Sequence, residues 1–461
     1  MSARVARFPP SGPLRGTLRP PPDKSISHRA ALIAALADGE TMIRGYLDAA
    51  DTRSTVEAVR RLGGEVEVVD SPRVEKRDID SRNSAGAKGL DLCVRGVGLR
   101  GPLPSQIDVG NAGTLLRILP GWLAGQGRGA WTLDGDESIR RRPVDRIAEP
   151  LGRMGARVFC RDDRFAPLRV EGADLEGIDY ELPVASAQVK SCLILAALLA
   201  EGPTKIVERQ PTRDHTERML RAAGAPVRIE DAGTPVAIRG QLPARRVIVE
   251  PTERIEPGEM VVPGDFSSAA FLIVAALLVR GSEIRLERVG INPGRIGLLG
   301  ILTRMGASLE VVETPAAGPE PVAAITAGYS RLVGTRVGGG EVPLAIDELP
   351  LCGLAACFAE GETVVSGADE LRHKESDRIA TVVAALEALG AEVEMRPDGF
   401  AVRGTGGVRG GALEAVGDHR LAMLGAIAGI ASREGVEVSG MEAAEVSYPG
   451  FDDDLGLLVG G

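Results

Sequence analysis

The chain has 461 residues, room for two or three domains with cores of their own, and its 44% hydrophobic and 26% charged content is that of a globular protein. A formal net charge of -10 and 3% aromatic residues argue against nucleic acid, which asks for a basic track and stacking platforms. Residues 1–16 lack the apolar stretch of a secretion signal, and the longest apolar runs fall far short of a bilayer span. The expectation is a cytoplasmic protein with no membrane partner. Three of the five cysteines, Cys192, Cys352 and Cys357, lie inside apolar helical runs and read as buried thiols. No His or Cys pair has ligand spacing, so no metal is expected.

An apolar, small-residue run ending near Gly or Ser recurs six times, each copy preceded by a short polar motif. In the first copy Lys24-Ser25 leads into a predicted helix over 27–37, followed by a strand over 40–45, a helix over 54–62 and strands over 65–69 and 89–94. The polar segment 71–88 reads as a surface insertion. Asn111-Ala112-Gly113-Thr114 opens the second copy and Ser186-Ala187-Gln188 the third. Asp265-Phe266-Ser267-Ser268 opens the fourth, after which 314–328, rich in Pro, Ala and Gly, reads as an insertion or mobile loop. Asp347-Glu348 opens the fifth, with helices over 349–359 and 377–389 and strands over 362–366 and 391–395. Asp418-His419-Arg420 opens the sixth, which stops after its first half and leaves only 448–458 as a closing helix.

A repeat of roughly 70–90 residues is too long for a solenoid. It predicts one βαβ-containing module used six times, with its helix starts as the place for chemistry. The first turn of a helix presents unpaired N–H groups and partial positive charge, which suits anions. Plain N-capping is the competing reading, and it is preferred for the Asp265 motif because no basic residue accompanies it.

The other motifs carry more than a cap requires. Against forty-eight arginines there are six lysines, and Lys24, Lys190 and Lys374 fall inside motif segments. Lys190 reads equally well as a site residue or as a solvated one. All four histidines (His28, His215, His373 and His419) sit in charge-dense clusters, as do Arg142, Arg213 and Arg378, and Arg117 lies one helical turn after Asn111-Ala112-Gly113-Thr114. Convergence of these helix starts would make a cationic cleft in an acidic protein, suited to small multiply charged anions bearing phosphate or carboxylate.

Pro22-Asp23-Lys24-Ser25-Ile26-Ser27-His28-Arg29, Gly110-Asn111-Ala112-Gly113-Thr114, Arg142-Pro143, Ser186-Ala187-Gln188, Arg372-His373-Lys374-Glu375-Ser376-Asp377-Arg378 and Asp418-His419-Arg420 together resemble the 5-enolpyruvylshikimate-3-phosphate synthases. The resemblance runs in order over nearly the whole chain. It implies a two-domain inside-out α/β barrel of six βαβαββ units, three in each domain around pseudo-threefold symmetry. One domain would be 22–262 and the other 1–21 plus 263–461, joined by crossover strands near 20–22 and 260–263. The implied reaction joins phosphoenolpyruvate to the 5-hydroxyl of shikimate 3-phosphate and releases phosphate, with no cofactor, in a monomer.

Carried over by motif, Lys24, Ser25, Arg29, Ser186, Ala187, Gln188, Arg213, Asp347 and Lys374 would contact shikimate 3-phosphate. Lys24, Asn111, Gly113, Arg142, Gln188, Arg378, His419 and Arg420 would contact phosphoenolpyruvate. Asp347 is the candidate for the hydroxyl proton, and Glu375 with Lys24 for the methylene proton. Two features stand out. The segment 445–449 lacks the Lys that many relatives carry there, which shifts phosphoenolpyruvate binding toward the arginines, and Gly113 keeps the small residue that leaves room for glyphosate. The nearest rival is the related transferase acting on UDP-N-acetylglucosamine, which typically opens with Lys-Asn and carries a reactive Cys on a cleft loop. An RNA-end cyclase and a non-catalytic scaffold are further alternatives.

Overall fold

The computed structural model describes residues 4–69, 89–232 and 243–460. Its first helix, Lys24–Ala35, shows how the module is built. Asp23 accepts a hydrogen bond from the Ile26 N–H (2.9 Å), and an Ala- and Leu-rich run without Gly or Pro then propagates the helix. Its residues from Ile26 to Ala35 are all buried. Gly113–Ala124 and Ala187–Ala197 are largely buried as well, with Gly113–Ala124 packed against both of the others. Small residues set the spacing: a Cβ on Gly121 would lie 1.9 Å from the Cys192 carbonyl oxygen, so only glycine permits that approach. Phe266–Leu278, Leu349–Phe358 and His419–Ala431 form a second set of three buried helices.

Sheets surround each trio, turning one face to its helices and the other to solvent, where Val68, Phe159 and Met395 are exposed. Helices inside and sheets outside is the inside-out α/β barrel, and among the described residues five of its six sheets have four strands. Each of these five follows one order: an outer strand parallel to the second, then an antiparallel pair. Two outer strands come from elsewhere in the chain. Glu259–Val261 pairs in parallel with Glu40–Tyr46, and Arg15–Leu18 with Glu283–Gly290. The sixth sheet has three strands and is completed by Val5–Phe8, antiparallel to Val436–Ser439.

Two hydrophobic clusters result, one drawn from Ile26 to Val262 and the other from Leu14, Leu18 and Phe266 to Leu458. The chain passes between them twice, and the passages bond to each other: Asp23 N–H to the Pro263 carbonyl (2.8 Å) and Asp265 N–H to the Pro21 carbonyl (2.7 Å).

Most predicted elements differ from the observed ones by one to four residues, as expected where caps set the ends. The expectation for 314–328 was wrong. Ser308–Thr314 and Val322–Gly328 are antiparallel strands with Thr314 opposite Val322, so only the intervening turn is irregular. Val322, Ala323, Ala324 and Ile325 are buried small or branched residues, and alanine concealed the strand pattern. The predicted insertion over 71–88 lies outside the described residues. The closing helix is Phe451–Val459.

Candidate active site

A cleft of about 450 Å³ opens where the two sets of helix starts meet. Among the described residues, nine Lys and Arg side chains line it against five Asp and Glu, so its walls are cationic although the chain is acidic. Such a balance concentrates small anions at the site.

On the side built from residues before Val262, Ser186 caps the Ala187–Ala197 helix and places Gln188 over the cleft. Gln188 donates to Thr114 Oγ1 (3.1 Å) and accepts from Arg117 Nη1 (2.9 Å), which fixes its amide between two helix starts. Arg213 sits on a loop held from behind. Glu208 accepts from the Thr212 N–H (3.2 Å) and hydroxyl (2.6 Å), and Lys190 Nζ lies 2.8 Å from Glu208 and 2.7 Å from Glu217. Lys190 is therefore neither solvated nor in the cleft: its side chain is 0% exposed. It joins the Gln188 helix to the Arg213 loop.

The opposite side is organised around Arg378. Its guanidinium meets Asp418 (2.8 Å), Glu375 (2.5 Å) and Asp347 (3.5 Å). Asp418 also accepts from the Arg420 N–H (2.9 Å), setting the direction of the helix that carries His419 and Arg420. Lys374 Nζ lies 3.2 Å from Asp347. Three ion pairs cross the cleft: Arg213 to Asp347, Arg142 to Glu375 (3.4 Å) and Arg146 to Glu370 (3.0 Å).

Burial alone would raise the Asp347 carboxyl, but Lys374, Arg213, Arg420 and Arg378 outweigh it and hold the group well below the usual carboxylate range. Glu375 is likewise opposed by burial and held well below that range by Arg378, Arg142, His419 and Lys24. Burial, then the neighbouring Lys24 cation, push His419 down to about 3, so its imidazole is neutral. Glu348, beside Asp347, is raised by burial and by that neighbour's charge, against the pull of Arg420 and Arg295.

Of the residues expected from the sequence, Lys24, Ser25, Gly113, Arg142, Ser186, Ala187, Gln188, Arg213, Asp347, Lys374, Glu375, Arg378, His419 and Arg420 all line the cleft. Arg29 and Asn111 do not. Arg29 is buried behind the wall, donating to Thr216 (2.8 Å), Ser191 (3.1 Å) and the Ser25 carbonyl (2.9 Å). Lining residues that the sequence did not single out as site candidates include Asp51, Arg146, Arg295 and Glu370. Asp51 pairs with Lys24 at 3.0 Å, and nothing in its sequence context signals that partner. The Asp265 motif caps its helix as expected, accepting from Ser267 and Ser268 N–H, but a basic residue does accompany it: Arg295, 30 positions away in sequence and 2.9 Å away in space. Among the described residues no His, Cys, Asp and Glu cluster could hold a metal ion, and no helix is long and apolar enough to cross a membrane.

The fold is that of the enolpyruvyl transferases: the enolpyruvyl transferase NikO from Streptomyces tendae superposes with a TM-score of 0.73 over 99% of this chain and 98% of its own, at 18% identity. The family is narrower. A family model described as EPSP synthase (3-phosphoshikimate 1-carboxyvinyltransferase) matches residues 9–455. A 3-phosphoshikimate 1-carboxyvinyltransferase of Thermus thermophilus is 47% identical over 451 residues, 97% of each chain. The structure of EPSP synthase from Acinetobacter baumannii superposes with a TM-score of 0.80 at 37% identity, covering 98% of each chain. The chain belongs to the EPSP synthase family.

Proposed function

We propose that shikimate 3-phosphate lies against Ser25, Ser186, Ala187, Gln188, Arg213 and Lys374, with phosphoenolpyruvate between Lys24, Gly113, Arg142, Arg378, His419 and Arg420. The chain transfers the enolpyruvyl group of phosphoenolpyruvate to the 5-hydroxyl of shikimate 3-phosphate and releases phosphate, a step of chorismate and aromatic amino acid biosynthesis. The observation that carries this reading is the meeting of all six motif segments at one cationic cleft.

In the addition step the 5-hydroxyl oxygen bonds to C2 of phosphoenolpyruvate while the methylene carbon gains a proton. Elimination then returns a proton from that methyl group and expels phosphate. Asp347 takes the hydroxyl proton, and Glu375 with Lys24 handles the methylene proton. Both carboxyls are too acidic for this work while clamped by arginine and lysine. The substrates supply the correction. Their phosphate and carboxylate groups draw Arg213, Arg142, Arg378 and Arg420 onto themselves, and the carboxyl pKa values rise toward the range that proton transfer uses.

The two hydrophobic clusters support a division into domains 22–262 and 1–21 plus 263–461, and the three ion pairs across the cleft support closure that excludes water. The cleft's small anionic substrates suit an enzyme of the cytoplasm. Among the described residues no cysteine lines the cleft, which disfavours the UDP-sugar reaction. Phosphate release measured with phosphoenolpyruvate plus shikimate 3-phosphate, and in parallel with UDP-N-acetylglucosamine, tests the reading. Turnover is expected only with the former, and turnover only with the latter would overturn it.

A further inference from the structure

Arg295 has no part in the roles above, yet it occupies the point where the two chain passages meet. It is 3% exposed and lies among three groups: Asp23 Oδ2 at 3.4 Å, Asp265 Oδ1 at 2.9 Å and the Ser267 hydroxyl at 3.0 Å. Asp23 and Asp265 are the N-caps of the Lys24–Ala35 and Phe266–Leu278 helices, one from each hydrophobic cluster. Asp265 Oδ2 also accepts from the Lys24 N–H (3.1 Å), so the cap of one helix holds the first residue of the other. Ser267 donates onward to Glu348, and Glu348 lies 3.6 Å from Arg420 Nη1.

Two buried carboxylates side by side repel unless a cation lies between them, and the planar guanidinium fork can meet both together with a hydroxyl. The chain of contacts then runs from Lys24 through Asp265, Arg295, Ser267 and Glu348 to Arg420. Both ends are groups placed on phosphoenolpyruvate, whereas Arg213 and Ser186 lie outside the chain.

We propose that Arg295 is a positioning residue for the phosphoenolpyruvate side of the site, fixing Lys24 and Arg420 relative to each other across the junction of the two domains. It touches neither reacting group and acts through the caps and Glu348. The inference rests on the placement of phosphoenolpyruvate above.

KM for each substrate separates this role from a purely structural one. R295K keeps the charge and loses the fork. D23N/R295Q removes one carboxylate along with the cation, and an asparagine in place of Asp23 still caps the helix. In both variants KM for phosphoenolpyruvate is expected to rise roughly tenfold or more, with KM for shikimate 3-phosphate within about twofold of the parent. A parental phosphoenolpyruvate KM in D23N/R295Q, equal rises for both substrates, or failure of both variants to fold would each overturn the inference. R420Q is the control for the underlying placement. If R420Q leaves the phosphoenolpyruvate KM unchanged, that placement fails; if R420Q raises it and D23N/R295Q does not, only the role of Arg295 fails.

Discussion

The two walls of the cleft divide the charge unequally. Among the described residues, the wall from before Val262 lines it with Lys24, Arg117, Arg142, Arg146 and Arg213 and with Asp51 as its only acid, whereas the other supplies Asp265, Asp347, Glu370 and Glu375 beside its own cations. Three arginine–carboxylate pairs over the cleft run from an arginine of the first wall to a carboxylate of the second, and at the junction Arg295 of the second meets Asp23 of the first. The first wall is almost purely cationic, whereas the second mixes cations with the carboxylates. The three pairs over the cleft neutralise charge across it, and in the proposed reaction the anionic substrates compete for the same arginines.

The sharpest break in this division is Asp347→Ala. It removes the proposed base and releases Arg213 and Lys374, so kcat is expected to fall on the order of 10³-fold or more while substrate binding survives, as read by steady-state kinetics and calorimetry. Near-parental turnover would take Asp347 out of the mechanism. On the first wall the corresponding blow falls on stability. Lys190→Met leaves Glu208 and Glu217 buried without their cation, and a loss of about 3–5 kcal/mol in urea unfolding is expected. A loss under about 1 kcal/mol would show that these acids find other partners or take up protons at little cost.

A smaller effect comes from pH. His419 lies folded at about 3, below its unfolded value, so between roughly pH 6.5 and 3 the unfolded chain binds the extra proton. Stability from this group is complete above the unfolded value and declines as pH falls through that window. Buried His28, also held well below the usual imidazole value by burial and by Lys24, acts in the same direction. Together they are expected to lower the unfolding free energy by roughly 2–4 kcal/mol between pH 7 and 5, and His419→Asn should flatten part of that slope. A parental slope in His419→Asn would reassign the effect.

The mildest test concerns Gly113. A Cβ there would lie 2.6 Å from Arg142 Nη1, so Gly113→Ala must push that guanidinium aside. KM for phosphoenolpyruvate is expected to rise about tenfold with kcat little changed. Glyphosate should compete with phosphoenolpyruvate in the parent and inhibit the variant less. Equal inhibition of both would place glyphosate away from Gly113.

Lys24 and Arg378 are legible as cleft residues because each joins a helix start to a cation, a local pattern that survives without coordinates. Asp347 and Glu375 have no such cue of their own and come only with the family resemblance. Sequence puts Arg29 one helical turn after Ser25 and cannot say that its guanidinium turns inward to Thr216 and Ser191. The setting of Lys190 is hidden in the sequence for the same reason: both of its partners, Glu208 and Glu217, lie on other elements.

By itself the sequence determined the sixfold module, the alternation of helix and strand within it, and which helix starts carry chemistry, because these depend on neighbours a few residues apart. Tertiary structure decided which strand completes which sheet, with Glu259–Val261 and Arg15–Leu18 each joining a sheet across a wide sequence gap. It also decided which charges are paired. Arg295 between Asp23 and Asp265, and the three pairs that cross the cleft, join residues from 30 to 272 positions apart. Ion pairing depends on distance in space and on exclusion of water, and no local pattern records either.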